Sequence, residues 1–121
     1  MITTTIGKAL NAYLALCRIR GKVRGKTALD LFHLKNVLQE KVDFCNDAEL
    51  QLVEDHGGKI LDNGTIIIAD PEKKKAYLKA RQDLNDMECE INEDPVTVDL
   101  EKNPDITMED IELLDGFVIF E

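Results

Sequence analysis

The stretch TALDLFHLKNVLQEKVDFCNDAELQLVED, Thr27–Asp55, decides the fold. Leu31, Leu34, Leu38, Val42, Cys45, Ala48 and Leu52 recur in it at steps of three and four residues. That spacing draws one apolar stripe down a helix, because a turn takes 3.6 residues. Polar side chains fill most of the positions between, and neither Gly nor Pro interrupts the run. The stripe must be covered, since most helical stability in proteins comes from packing such a face. Thr27 reads as the N-cap, with Asp30 set against the positive end of the helix dipole.

A second stripe lies downstream. Asp70-Pro71-Glu72 combines a capping carboxylate, a proline at the first helical position and an acid in the first turn. Tyr77, Ala80, Leu84, Met87 and Ile91 then repeat at steps of three and four, predicting a helix over 71–92 that ends before Pro95. Two stripes of similar length pack most simply as an antiparallel hairpin. Gly57-Gly58 ends the first helix, and Asp62-Asn-Gly64 is a strong tight-turn signal. A β-hairpin over 59–69 is therefore expected at the tip. Ile66, Ile67 and Ile68 make both faces of its second arm apolar, so they are candidate interface residues.

Upstream, Ile6, Leu10, Tyr13, Leu14, Cys17 and Ile19 predict a helix over 5–20, with N-caps in Thr3-Thr4-Thr5. A basic connector over 21–26 follows. Arg18, Arg20, Lys22, Arg24 and Lys26 in and before it form a second candidate interface. The tail over 96–121 reads as strand, helix, strand. Val96–Val98 and Phe117–Phe120 supply the strands, and Thr107–Asp110 resembles a capping box. The terminal strand is expected to pair with Val96–Val98 or with the tip. The expected fold is mainly α, in the α+β class: an antiparallel helical hairpin packed with an N-terminal helix, a small β-hairpin at the tip and short C-terminal strands, in a single domain over residues 1–121.

Composition narrows the functional classes. Charged residues make up 32% and hydrophobic ones 44%, enough apolar material at regular spacing to build a core. There is no Trp, with two Tyr and four Phe, so no aromatic platform for stacking single-stranded nucleic acid is expected. No run approaches the roughly 20 apolar residues of a membrane span. The N-terminus lacks the pattern of a signal peptide. Cytoplasmic residence is the expectation. Cys17, Cys45 and Cys89 have no C-x-x-C spacing and fit reduced thiols.

The net charge of −9 is unevenly spread. Residues 1–36 hold seven basic and one acidic side chain, a balance of +6; residues 37–121 hold eight against 23, a balance of −15. Either the two regions neutralise each other within the fold, or the chain meets a charged partner, including another copy of itself.

No catalytic, cofactor-binding or metal-ligating set emerges. Only His33 and His56 carry imidazoles, without a second ligand at helical spacing, although Asp30 lies one turn before His33. The chain contains no Ser, and each Cys lies on or beside an apolar seam. Carboxylates along Asp86–Asp94 have no neighbouring base and read as a solvated face. An enzyme is not expected, nor a cofactor, nor stable direct binding to nucleic acid.

Three stretches carry a resemblance: Arg20-Gly-Lys-Val-Arg-Gly-Lys26 entering the helix towards Leu31–Gln39, the Gly-rich tip before Asp70-Pro-Glu72, and Leu84–Val98 ending in Val-x-Val. In this layout the chain resembles a family of short uncharacterised proteins from phages and prophages of Gram-positive bacteria. That resemblance implies a phage origin in a host cytoplasm and brings no catalytic residues. The leading expectation is a non-enzymatic phage protein acting through protein–protein contacts, in virion assembly or as an accessory. Two alternatives stand beside it. One is an acidic mimic that inhibits a host nucleic-acid-binding protein. The other is a chaperone subunit similar to prefoldin.

Overall fold

The computed structural model describes residues 1–121. The elements run β1 (Ile2–Thr5), α1 (Ile6–Ile19), α2 (Gly25–Asp55), β2 (Lys59–Ile60), β3 (Ile66–Ile67), α3 (Pro71–Asp86), β4 (Glu88–Ile91), β5 (Val96–Val98), α4 (Met108–Leu113) and β6 (Val118–Phe120). The fold is mainly α, with three two-stranded sheets: β1 with β4, β2 with β3, and β5 with β6.

The long helix is the axis, and the chain reverses against it twice. Ile6 packs with Cys45, Tyr13 Oη donates to Gln39 Oε1 at 2.6 Å, and Leu16 and Ile19 reach Leu31. Rising numbers in α1 meet falling numbers in α2, so these helices are antiparallel. The same holds at the other end, where Leu84 packs with Cys45, Arg81 Nε meets Glu49 Oε2 at 2.6 Å, and Tyr77 packs with Val53. The expected α2–α3 hairpin is present, but the wider contact along α2 is made by α1. Ala9, Ala12 and Ala15 of α1 are fully buried in the core that α1 shares with Leu31, Leu34 and Leu38 of α2. Around them Ile19, Leu31, Leu34, Leu38, Ile91, Val98, Leu114 and Phe117 form the main core.

Element ends follow the local chemistry. Thr5 caps α1 by accepting from Lys8 N–H. The Asp70 carboxylate accepts from Glu72 and Lys73 N–H at the start of α3, and Thr107 and Asp110 form the expected capping box on α4. At the far end of α2, Gly57 takes φ +67° while Gly58 and Gly57 donate to Val53 and Glu54 carbonyls. This is a Schellman ending, whose left-handed residue favours glycine. A methyl group at Gly58 would lie 2.8 Å from Ile68 Cγ1 and 3.0 Å from Val53 Cγ1, both buried side chains. Gly58→Ala is therefore expected to lose about 2 kcal/mol by overpacking. A chemical-denaturation midpoint within error of the wild type would contradict that.

Three boundaries differ from expectation. The second helix begins at Gly25 rather than Thr27; Arg24 is its N-cap without a side-chain bond, and the connector shrinks to a turn. The tip strands pair over two residues each, Lys59 with Ile67 and Ile60 with Ile66. The largest correction concerns 71–92. The third helix stops at Asp86, and Glu88–Ile91 becomes a strand antiparallel to Ile2–Thr5, with Ile2 opposite Ile91 and Thr5 opposite Glu88. The β-branched run Ile2-Thr-Thr-Thr5 supplies the partner. The pairing turns Ile91 into the main core and Glu88 and Glu90 outward, and leaves Met87 exposed. The heptad seam continued through these residues, and so did a period-two alternation, Met87-Glu-Cys-Glu-Ile91. A distant strand decided between them.

In the tail, β5 and β6 pair parallel, Val96 with Val118 and Val98 with Phe120. Parallel neighbours need a crossover, and α4 lies within it. The expected pairing of the terminal strand with Val96–Val98 is thus present.

Candidate functional site

The N-terminal turns of α2 present two apolar side chains to solvent. Leu31, Leu34 and Leu38 face the core, whereas Leu29 and Phe32, three residues apart and so on one face, remain 65% and 57% exposed. They form a ridge between two concavities.

On one side lies an apolar groove of about 290 Å³. Leu16 and Ile19 of α1, Val23 of the turn, and Ala28, Leu31 and Phe32 of α2 line it, with Arg20 and Lys35 also in the lining. On the other side lies a polar cavity of about 720 Å³ between α2 and the segment joining β4 to β5. Lys26, Asp30 and His33 line it from the helix, facing Glu93, Asp94, Pro95, Val96 and Thr97. His33 Nε2 lies 2.6 Å from Glu93 Oε1 and ties the two walls together. Lys26 Nζ stands 3.8 Å from Asp30 Oδ2. No group of three or more His, Cys, Asp or Glu side chains is arranged to hold a metal ion. Spacing along the chain pointed to Asp30 beside His33; Glu93 arrives from a distant segment, and no local signal marks it.

The five basic candidates are dispersed. Arg18 Nη1 meets Glu109 Oε1 at 3.1 Å and its Nη2 lies 3.8 Å from Asp110 Oδ1. Lys22 Nζ donates to Asp110 Oδ2 at 2.8 Å. The positive connector and the acidic tail therefore neutralise each other in part within the fold. Asp110 is 2% exposed, and burial pushes its pKa up. Hydrogen bonds from Lys22 and Thr107 outweigh that and hold the carboxyl below its ordinary value. Lys26 goes to the polar cavity, Arg20 to the apolar groove, and Arg24 to a small polar hollow beside Lys102. None of the ion pairs involves Arg20, Arg24 or Lys35. Lys35 instead has its ammonium 5.7 Å from the Tyr13 ring centre.

The three candidate isoleucines also part company. Ile68 is buried against Val53 and Tyr77, Ile66 is half-buried beside them, and Ile67 is exposed. With exposed Ile60 and Leu61, Ile67 leaves a smaller apolar patch at the tip than the sequence suggested.

The thiols occupy packing positions. Cys45 is buried with Ile6 and Leu84, and Cys89 packs against the same cluster. Burial pushes the Cys89 thiol pKa up, only partly offset by Lys41, which disfavours the thiolate. No protein-family model, curated protein or solved structure matches this chain.

Proposed function

We propose that this protein is a non-enzymatic contact protein, and that it meets another protein through the start of α2. The observation that carries this is the Leu29–Phe32 ridge beside an apolar groove; both side chains are more exposed than Ile60, Leu61 and Ile67 of the tip patch. Contiguous exposed apolar surface rimmed by polar groups is characteristic of interaction sites. Phe is among the aromatic residues enriched in protein–protein interfaces relative to the rest of the surface. The phage or prophage setting suggested by the layout of the chain is part of the same proposal, as an accessory or assembly component.

The acidic-mimic alternative is less well supported. It requires a free row of carboxylates, and Glu93 is engaged by His33. The prefoldin-like alternative requires paired tip strands and a hexameric assembly; the tip strands pair, over two residues each.

A photo-crosslinking amino acid placed at position 32 should capture a discrete protein in the native cell, or a second copy. The same probe at Lys79, an exposed position on α3, should not. Phe32→Asp should leave the free energy of unfolding within about 0.5 kcal/mol of wild type, since the ring is mostly in solvent. No crosslink above the Lys79 control, together with a monomer by light scattering at high concentration, would overturn the contact role.

A further inference from the structure

We infer that the groove between α1 and α2 receives a short amphipathic helix that carries carboxylates and belongs to another protein. The inference rests on the contact role proposed above and specifies the chemistry of the partner.

Charge complementarity is the first argument. The chain carries −9 overall, yet the two cations at this groove, Arg20 and Lys35, have no carboxylate partner. Arg18 and Lys22 of the same region are paired with Glu109 and Asp110, and Lys26 lies 3.8 Å from Asp30, whereas Arg24, outside the groove, is unpaired like Arg20. An apolar groove lined by two cations and no carboxylate fits a ligand with apolar anchors flanked by acids.

The fold itself supplies the second argument. The short helix α4, Met108–Leu113, already lies against α1 in this manner. Its apolar side reaches the main core through Leu113 and Leu114, while Arg18 and Lys22 of the α1 end hold Glu109 and Asp110. The neighbouring side of the same helix end carries Arg20, while Leu16 and Ile19, packed in the main core with Leu31, close the floor of the groove. A volume of about 290 Å³ suits one or two anchoring side chains rather than a cofactor. Anchors at i, i+3 or i+4 are how a helix engages a groove.

The test uses the full chain and two fluorescent helical peptides of about 14 residues. Both carry leucines at i, i+4 and i+7; one is flanked by glutamates, the other by lysines. The acidic peptide should bind, measured by anisotropy, and weaken at least ten-fold in the double variant Arg20→Glu/Lys35→Glu. Arg20→Gln/Lys35→Gln should weaken it less, and raised salt should weaken it in the wild type. Circular dichroism checks that each variant is folded. Equal binding of the two peptides, or unchanged binding in the charge-reversed chain, overturns the inference. So does absence of binding at millimolar peptide, and crosslinks at position 32 would then leave the contact role standing without this partner class. A dimer that dissociates in the charge-reversed variant would assign the groove to a second copy instead, and overturn the inference as well.

Discussion

Phe117→Ala is expected to lower the free energy of unfolding by about 4 kcal/mol, the typical cost of removing a fully buried ring. Phe117 is 1% exposed and sits in the main core with Val98, Leu114 and Val118, against α1 and α2. It is the largest fully buried side chain, and no other aromatic residue reaches that core completely. Its carbonyl accepts from Val96 N–H, so the ring lies at the point where the parallel sheet begins. Collapse around the vacancy is limited, because the neighbours belong to separate elements with fixed backbones. Urea denaturation checks this: the midpoint should fall with the slope little changed. A loss below 1 kcal/mol would mean that the tail contributes little to the stability of the helical core.

Asp110→Ala should cost about 3 kcal/mol at neutral pH. One part, about 1 kcal/mol, is the lost half of the α4 capping box, in which the Asp110 carboxylate accepts from Thr107 N–H; the Thr107 cap itself remains. The rest comes from leaving Lys22, 30% exposed, without its partner, as when one side of a buried pair is removed. Lys22 retains a route to solvent, which keeps the figure at the low end for such pairs. The pH dependence distinguishes the charge from the shape. The carboxyl pKa is lowered in the folded state, so its contribution is complete above the unfolded value of about 3.9 and is lost as pH falls through the folded value. Wild type should therefore lose stability in acid relative to Asp110→Asn, and the gap between them should narrow below about pH 4. Parallel acid profiles would show that the carboxylate adds nothing beyond its shape.

Much of this fold is legible in the chain because its signals are local. A cap is a side chain bonding a backbone two or three residues away. Thr5, Asp70 and Thr107 are accordingly recognisable without knowing where anything else lies. The α2 stripe is a periodicity within one segment, and Leu31, Leu34, Leu38 and Cys45 are buried as that period requires. The tip turn at Asp62-Asn-Gly64 is likewise local, with Asn63 Oδ1 accepting from Thr65 N–H.

The candidate site is legible only in part. The basic connector stands out by composition, yet composition cannot say which cation finds a carboxylate. Asp110 lies 88 residues from Lys22 and quenches it. Arg20, two residues earlier in the chain, stays free. Phe32 looks like one more apolar residue beside the seam until α1 closes one flank of it and makes a groove.

By itself the sequence determined that the helices form, the caps at Thr5, Asp70 and Thr107, the turn at the tip and the lopsided charge. Each depends on residues a few positions apart. The tertiary structure decided what depends on partners far along the chain. It made Glu88–Ile91 a strand by bringing Ile2–Thr5 alongside, although the heptad period ran on. It gave the longest helix to α1 more than to α3, since α1 shares the main core with it while α3 meets it through two small clusters. It also left Leu29 and Phe32 exposed beside Arg20 and Lys35 at one end of α2, since no other part of the chain reaches that face.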